Sequence, residues 1–364
     1  MNDHTVDLLP DSRWKQTFRR QLKRWYARHA RDLPWRRTRD PYHIWISEIM
    51  LQQTQVATVI PYFERFIDAF PTVRELAAAE EEVVLRHWEG LGYYRRARQL
   101  HKAAKVIVDA HDGRFPNTVE QVDQLPGIGR YTRGAILSIA FDQRQPILEA
   151  NTIRLNARLL QYDGDPTSTP GQKILWAFAE DILPQKETGL FNQALMELGS
   201  AICTPKDPRC LVCPVASVCP TRATGRQHEI PKPKKKTVYE DLAETAIVVY
   251  RKQRVLIRRC REGERWAGLW DFPRFTSGSN GDEQHNQQQV RALTGIEISP
   301  STPFKTMKHG VTKYRITLTC RTADAVGGRK QRGEELEWVR IDELNDYPLS
   351  VTGRKIAKQL SAPE

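Results

Sequence analysis

Hydrophobic residues follow a helical period through more than half of the chain. From residue 12 to about residue 200, apolar side chains recur at intervals of three and four, as at Leu76, Val83 and Val84. This period matches one buried face of an α-helix, and short breaks containing Gly or Pro separate successive stretches. The sequence therefore predicts that this part of the chain is all-α.

After residue 240 the pattern becomes strand-like. Residues 245–250 and 254–258 are short β-like runs, and residues 313–319 alternate between polar and apolar side chains. Residues 287–293 keep a helical period between these runs. We therefore predict a separate α/β module in the C-terminal third.

A basic, proline-containing stretch, residues 231–236, separates the two patterns. It has no hydrophobic period and is typical of a linker, although its charge could also contact phosphates. The predicted organisation is multidomain, with a helical domain over 1–231, a linker over 232–243 and an α/β domain over 244–364.

Length and composition favour a globular protein of two or three domains. The chain has 364 residues, of which 40% are hydrophobic and 9% aromatic. No apolar run approaches the ~18 residues of a membrane-spanning helix, and the N-terminus lacks the charged-then-apolar order of a signal peptide. We expect a cytoplasmic, nucleoid-associated monomer without a membrane partner.

Positive charge is concentrated near the N-terminus. The formal net charge is +12, which indicates an acidic partner. Only Asp32 interrupts a run of basic side chains, namely Arg13, Lys15, Arg19, Arg20, Lys23, Arg24, Arg28, Arg31, Arg36, Arg37 and Arg39. A solvated helix face, the alternative interpretation, would normally mix both signs, so the run favours nucleic acid.

Four of the six cysteines lie close together. They follow the spacing C-x6-C-x2-C-x5-C, with prolines between them, and are Cys203, Cys210, Cys213 and Cys219. Such clustered thiolates suit a metal centre in a reducing compartment better than a set of disulfides. Only one Cys-x2-Cys pair is present, which favours a [4Fe–4S] cluster over the alternative, tetrahedral zinc.

A turn with two glycines, in residues 125–132, joins a polar helix to an apolar one. Gly127 and Gly129 let backbone N–H groups approach an anion, and the following helix adds the positive end of its dipole. The pattern favours a helix-hairpin-helix that binds DNA phosphates over an ordinary pair of helices.

Two glutamates are candidates for acid–base chemistry. On a helix, Glu48 has apolar neighbours three and four positions away, and burial among them would raise its pKa, as a general acid requires. Glu149 lies just ahead of a helix for which we predict Asn151 as the N-cap, a setting that stabilises the carboxylate anion. One protonated and one ionised carboxyl suit the cleavage of a glycosidic bond. The alternatives are a glutamate at an amphipathic edge and an ordinary acid at a helix start.

Several motifs occur together along nearly the whole chain. Besides the four cysteines they are Leu33-Pro-Trp-Arg36, Ser47-Glu-Ile-Met-Leu-Gln-Gln-Thr54, Gly90-Leu-Gly-Tyr-Tyr94, residues 125–132 and Phe191-Asn-Gln-Ala-Leu-Met-Glu-Leu-Gly199. In this combination the chain resembles the MutY-type adenine DNA glycosylases, members of the helix-hairpin-helix superfamily that includes endonuclease III. The resemblance implies an all-α glycosylase domain with a [4Fe–4S] cluster loop, and double-stranded DNA with an adenine mispair as the partner.

The resemblance also implies a role for each motif residue. Glu48 would protonate the departing adenine, and Glu149, oriented by Tyr131 and Asn151, would stabilise the oxocarbenium sugar. Bifunctional lyases of the superfamily have a lysine where this chain has Tyr131, so a monofunctional enzyme is implied. Trp35, Arg36 and Gln193 would line the pocket for the flipped base. Gln53 and Tyr93 would enter the duplex where the base pair opens.

One departure from the family pattern affects the proposed catalytic pair. The family has Asp-Gly where this chain has Glu149-Ala150. Glutamate moves the charge by one methylene, and alanine disfavours the positive φ that glycine permits. We expect that the backbone has shifted to compensate; the alternative is a slow enzyme or one with an altered substrate.

The C-terminal module resembles the Nudix-like domain with which MutY-type proteins recognise 8-oxoguanine. Residues 268–273 match the family's strand and turn, whereas residues 287–293 lack the glutamates that bind Mg²⁺ in active Nudix enzymes. Pyrophosphate hydrolysis is therefore not expected. In the loop that reads the lesion, Thr312 keeps a hydroxyl, while Lys313 replaces the histidine usual in the family.

The sequence thus predicts an enzyme that removes adenine mispaired with 8-oxoguanine or guanine. The first alternative is an endonuclease III-like glycosylase and lyase, which Tyr131 and the C-terminal module disfavour. The second is a lesion-binding protein with weak catalysis, which the Glu149-Ala150 pair would explain.

Overall fold

The computed structural model describes residues 9–232, 238–278 and 282–361. Contacts between Cα atoms divide the chain into two compact units, one of residues 1–78 and 99–235 and the other of residues 79–98 and 236–364. The domain boundaries drawn from the sequence stay predictions, and residues 233–237 of the expected linker lie outside the described part. The two compact units differ from those predicted domains because residues 79–98 belong to the same unit as the C-terminal residues.

Helices form all the regular structure of the described residues from 9 to 223, as the apolar period predicts. Their bounds are α1 Ser12–His29, α2 Pro41–Leu51, α3 Val56–Ala69, α4 Val73–Ala78, α5 Glu81–Trp88, α6 Arg95–His111, α7 Val119–Asp123, α8 Arg130–Phe141, α9 Ala150–Leu159, α10 Thr169–Asp181, α11 Thr188–Ala201 and α12 Pro220–Ala223. Short 3-10 turns lie at Pro34–Arg36, Cys210–Val212 and Ala216–Val218. Several starts carry a side-chain cap; Asp11, for example, accepts from the backbone N–H of Trp14 at 2.7 Å.

The core of the first unit joins the N-terminal helix to two later ones. Phe18 and Leu22 on α1 are fully buried against Phe178 on α10 and against Phe191 and Leu195 on α11. Burial of each such side chain contributes about 1.5–3 kcal/mol. Helices distant in sequence thereby form one body that carries α2, α8 and α9.

Part of the basic N-terminal run serves this packing. Lys15 pairs with Asp181 at 2.9 Å, and Arg19 donates to the backbone carbonyls of Ile182 and Leu183 at the end of α10. These cations therefore neutralise acids and helix-end carbonyls of the chain itself. The unpaired surface available to a polyanion is smaller than the charge count suggests.

The helix-hairpin-helix turn connects α7 to α8. Gly127 has φ +79°, a conformation that other residues rarely adopt, and a Cβ there would lie 2.6 Å from the Cβ of Gln99. Both the backbone conformation and the lack of space therefore require glycine. Gly129 is the N-cap of α8. The first N–H groups of that helix follow directly and are the expected phosphate donors.

The C-terminal residues form one sheet with a helix on each face. Its strands are β1 Glu240–Arg251, β2 Arg254–Arg259, β3 Trp270–Asp271, β4 Arg274–Thr276, β5 Ile296–Ile298, β6 Thr302–Val311, β7 Tyr314–Gly328 and β8 Leu336–Arg340. The main order is β3-β2-β1-β7-β5, with β4 paired to β1, β6 to β7 and β8 to β2. Strands β1 and β7 run parallel, whereas the other pairs are antiparallel.

Both faces of this sheet are covered, which explains the continuous apolar run in β1. Val248 faces a cluster that includes Ile356 of helix α14, Val351–Leu360. Its neighbour Val249 faces the opposite cluster, which includes Val290 of helix α13, Glu283–Thr294. The predicted α/β fold class is confirmed. No helix in the described part of the chain is long and apolar enough to cross a membrane.

Candidate active site

A cavity of about 450 Å³ in the first unit is lined by all of the predicted catalytic and base-binding residues. The lining includes Trp35, Arg36, Glu48, Gln53, Tyr131, Glu149, Asn151 and Gln193. These residues come from five separate stretches between the first 3-10 turn and α11. The fold therefore gathers residues that the sequence only marked as motifs.

Glu48 lies on α2 and is buried, with 4% of its surface exposed. The pKa of its carboxyl is raised to about 7, because burial, helped by the nearby Glu149 charge, outweighs the opposing effects of the Tyr131 hydroxyl and Arg36. The interpretation as a buried acid thus holds over that of a solvent-reaching glutamate. A large share of Glu48 is protonated at neutral pH.

Tyr131, on α8, was expected to orient Glu149, but its hydroxyl bonds to Glu48 instead. Its hydroxyl donates to Oε2 of Glu48 at 2.5 Å and lies 3.4 Å from the Met196 sulfur. Burial and the two carboxyls raise the pKa of Tyr131 well above its usual range, so the phenol stays a donor. The expected orientation of Glu149 by Tyr131 is therefore corrected: this hydroxyl orients the acid of the pair.

Glu149, rather than Asn151, is the N-cap of α9. Its carboxylate accepts from the backbone N–H groups of Asn151 at 2.9 Å and Thr152 at 3.0 Å, and from the Asn151 side chain at 3.3 Å. The backbone N–H of Glu149 in turn donates to Thr152 Oγ1 at 2.8 Å, completing a capping box.

The pKa of Glu149 is raised as well, because burial outweighs these hydrogen bonds and the nearby Arg154. The contrast between the two carboxyls is therefore smaller than predicted, since the sequence indicated that Glu149 is held ionised. Three hydrogen bonds to its oxygens nevertheless favour the anion. Ala150 is the first residue of α9 and has no positive φ, so alanine fits this backbone without strain.

The sequence motifs did not indicate one buried residue beside the cavity, Glu197, which forms ion pairs with two arginines. Glu197, 1% exposed, pairs with Arg36 at 2.8 Å and with Arg31 at 2.6 Å. Glu197 stands four residues after Gln193 on α11, so the helical period alone could have placed both on one face. It fixes the guanidinium of Arg36 at the cavity wall.

The remaining pocket residues are held by neighbours in the same unit. Trp35 is buried and packs edge-on against Phe63, with 5.4 Å between ring centroids. Gln193 accepts from the hydroxyl of Tyr26 at 3.2 Å. Gln53 follows α2 at a positive φ of 56°, where the chain turns sharply at the rim.

Tyr93 and Thr312 belong to the second unit. Tyr93 is 53% exposed and has φ 49° in the turn between α5 and α6. Thr312, exposed and with φ 54°, forms with Lys313 the turn of the β6–β7 hairpin. Lys313 pairs with Glu240 at 2.6 Å, so its ammonium is bound to its own sheet.

All four clustered cysteines line one further cavity of the first unit, together with apolar side chains. Arg158 donates to the sulfur of Cys203 at 3.2 Å, and burial raises the pKa of the Cys213 thiol to about 12. Among the described residues, no group of three or more His, Cys, Asp or Glu side chains is placed to hold a single metal ion.

Comparisons with known proteins agree with this fold. The family described as HhH-GPD superfamily base excision DNA repair protein matches residues 46–181, and the NUDIX domain family matches residues 245–359. A solved thermostable thymine-DNA glycosylase is 28% identical with a TM-score of 0.54, covering 58% of this chain and 98% of that one. The chain is thus a helix-hairpin-helix protein of base excision DNA repair with an added Nudix-like domain.

Two relatives define the family more narrowly. The adenine DNA glycosylase of Rattus norvegicus is 33% identical over 93% of this chain and 77% of its own length. That of Buchnera aphidicola from Schizaphis graminum is 38% identical over 71% of this chain and 75% of its own. The chain belongs to the adenine DNA glycosylases, and the predicted family and enzyme class are confirmed.

Proposed function

We propose that this glycosylase hydrolyses the N-glycosidic bond of adenine mispaired with 8-oxoguanine or guanine in double-stranded DNA. The observation that carries the proposal is the pair Glu48 and Glu149 in one cavity. Glu48 keeps a proton at neutral pH, while backbone N–H groups hold the oxygens of Glu149. Such a pair of carboxyls is what glycosidic cleavage requires.

The reaction divides between the two carboxyls. Glu48 gives its proton to a ring nitrogen of adenine as the bond from that base to the sugar carbon breaks, so adenine leaves neutral. The Glu149 carboxylate stabilises the positive oxocarbenium sugar. Water then adds to the sugar carbon and its proton passes to the Glu48 carboxylate, directly or by way of Glu149, which restores the enzyme.

The same cavity supplies a place for the flipped base, whose extrusion costs a few kcal/mol. Trp35 offers an apolar ring face, and Arg36 and Gln193 offer polar groups to a base edge. Because Glu197 pairs with Arg36, the guanidinium is held in place before the base arrives. Gln53 and Tyr93 are proposed to enter the duplex where the base pair opens.

We propose that the enzyme is monofunctional. Schiff-base chemistry needs an amine beside the sugar, and none of the described residues that line the cavity is a lysine. Tyr131, the residue at the lyase position, is committed to Glu48. The endonuclease III-like alternative therefore lacks its nucleophile here.

Recognition of the opposite base is assigned to the hairpin turn of the C-terminal domain. Thr312 presents its hydroxyl from an exposed position, whereas Lys313 is bound by Glu240. We propose that Thr312 contacts 8-oxoguanine. A monomer acting on cytoplasmic, nucleoid-associated DNA completes the proposal.

A single-turnover assay on four duplexes tests this function. We expect fast excision of adenine opposite 8-oxoguanine, slower excision opposite guanine and none opposite thymine. A control duplex with cytosine in place of the target adenine should release no base. Strands should break only after alkali or heat. A protein that binds the lesion duplex but releases no adenine would support the lesion-binding alternative instead.

We further propose that the four cysteines hold a [4Fe–4S] cluster. All four cysteines line one cavity together with apolar side chains, and Arg158, which donates to the Cys203 sulfur, can balance negative charge on the cluster. Only one Cys-x2-Cys pair is present among these four, which disfavours the zinc alternative. Cys203, Cys210, Cys213 and Cys219 would be the ligands, and the cluster's role would be to tie the loop after α11 together.

Purified protein is expected to be yellow-brown, with about four irons and four sulfides per chain. Cys213→Ala should lower the iron content sharply because one ligand is lost. Cys260→Ala is the matched control, since Cys260 lies in the other unit and should leave the iron unchanged. Stoichiometric zinc without visible absorbance would contradict the proposal.

A further inference from the structure

The second compact unit contains residues 79–98 beside the C-terminal residues. Ion pairs of Arg259 with Glu81 at 3.9 Å and with Glu82 at 3.5 Å connect the two stretches, and side-chain hydrogen bonds do so at three further places. Trp270 Nε1 donates to Glu82 at 3.0 Å, and Arg86 donates to the carbonyl of Asn345 at 2.7 Å. The third is a two-point ion pair in which Arg354 of α14 donates to both carboxylate oxygens of Glu89, at 2.6 and 3.0 Å.

The Arg354–Glu89 pair is almost enclosed by protein. The side chains are 11% and 8% exposed, respectively. Arg354 also donates to the carbonyls of Leu344 at 2.8 Å and Tyr347 at 2.7 Å, and to Asn345 Oδ1 at 3.0 Å. A guanidinium so fully bonded has one available geometry, and removal of the Glu89 charge would leave this cation buried without the carboxylate that it bonds. Glu89 also pairs with the half-exposed Arg86 at 3.2 Å, so removal of Arg354 takes away the buried, two-point partner of that carboxylate.

Glu89 is the C-cap of α5 and directly precedes the turn that presents Tyr93. In this turn Gly90 and Gly92 have φ 100° and 71°, and Tyr93 itself has φ 49°. A tyrosine at positive φ persists only where its surroundings hold the backbone. The position of Glu89 therefore bears directly on where the exposed Tyr93 ring points.

Contacts inside the turn connect its residues to one another. Trp88 Nε1 donates to the carbonyl of Gly92 at 3.2 Å, and Arg96 donates to the same carbonyl at 3.2 Å. The Arg96 guanidinium also lies over the Tyr93 ring, 5.6 Å from its centroid. The turn is fixed internally, and Glu89 fixes it to α14.

We propose that Arg354, acting through Glu89, is a positioning residue that sets the Tyr93 turn for entry into the DNA duplex. The C-terminal domain would then control base-pair opening as well as read the opposite base. This inference rests on the proposed function, because it assigns a use to Tyr93 in base flipping.

The test compares Glu89→Gln, Arg354→Gln and their double variant with the full-length protein, on an adenine:8-oxoguanine duplex. Each single change should lower the single-turnover excision rate about tenfold, because a displaced wedge opens the pair less often. The double variant should be no slower than either single variant, since the pair acts as one device. Duplex affinity should stay nearly unchanged because phosphate contacts dominate it.

Two further measurements separate positioning from general damage. Titration of active sites should give an unchanged active fraction, whereas misfolding would lower this fraction and not the rate. Arg258→Gln is the matched control: Arg258 is equally buried and pairs with Glu264 and Glu334 inside the C-terminal domain. It should keep the wild-type excision rate.

The Tyr93→Ala background decides whether the effect runs through Tyr93. There, Glu89→Gln should cause no additional loss; a further tenfold loss, or full activity of Glu89→Gln in the wild-type background, would overturn the inference. Failure of the proposed function looks different, because the wild-type protein itself would then release no adenine.

Discussion

Replacing Glu48 with glutamine is expected to lower the single-turnover rate of adenine excision by about 10²- to 10⁴-fold, the range typical for loss of a general acid. Glutamine has the same size and can still accept the hydrogen bond from Tyr131, but it has no acidic proton for the leaving base. The measurement is adenine release with enzyme in excess over an adenine:8-oxoguanine duplex. Affinity for the duplex should change little.

The pH dependence gives an internal control for this assignment. Because the pKa of Glu48 is about 7, wild-type kcat/KM should fall as pH rises through about 7, and the residual rate of Glu48→Gln should lack this limb. A fully active Glu48→Gln enzyme, or a wild-type profile flat from pH 6 to about 8, would assign the carboxyl a structural role.

The raised pKa of Glu48 should also make the stability of the folded protein depend on pH. The folded-state pKa of Glu48 lies above its ordinary value of 4.5, so the folded state binds the extra proton between about 4.5 and about 7. The free energy of unfolding therefore falls as pH rises through that window. The melting temperature of Glu48→Gln minus that of wild type should therefore be larger at pH 8 than at pH 5. The native protein is less stable at high pH because it keeps a buried carboxyl that can donate a proton at neutral pH.

Local patterns in the sequence predicted the elements and many of the site residues. The helical period located α2, and apolar neighbours on it indicated that Glu48 is buried. The continuous apolar run of 245–250 located the central strand β1. Strand β6 was missed because it pairs only with β7 and is largely exposed, so its residues are mixed and include Pro303 and Gly310.

Contacts between residues far apart in sequence were beyond local patterns. The hydroxyl of Tyr131 reaches Glu48 across 83 positions, and Arg31 reaches Glu197 across 166. Such pairings depend on how helices pack, and no periodicity encodes them. For the same reason the basic N-terminal run indicated a nucleic-acid surface, while several of its members serve as intramolecular partners.

The cap of α9 was assigned to the wrong residue for a different reason. Asn151 is a common N-cap type, and glutamate is not among the preferred ones. Glu149 nevertheless reaches the N–H groups of Asn151 and Thr152 because its longer side chain folds back over the first turn. Alanine at 150 then continues a regular helix, which explains why this pair can replace Asp-Gly without backbone strain.

Glu149→Gln is expected to slow excision by about 10²- to 10³-fold, because the amide removes the charge opposite the oxocarbenium sugar. One amide oxygen can still accept an N–H bond, so the helix start should survive at a cost of about 1 kcal/mol. Ser168→Ala is the matched control, since Ser168 caps α10 through Gly171 and does not line the cavity. That change should cost similar stability and leave the rate intact.

The double change Glu149→Asp with Ala150→Gly restores the residues usual in the family and tests the geometry of the carboxylate. In this protein the oxygens already bond to the first turn of a regular helix, so a side chain shorter by one methylene must withdraw about 1 Å from the cavity or lose one of those bonds. We expect excision about tenfold slower than wild type, with the anion retained. Equal or faster excision would mean that the loop readjusts freely, and that the reach of Glu149 does not limit the rate. Full activity of Glu149→Gln would be more serious, because the oxocarbenium would then need another counter-charge in the cavity.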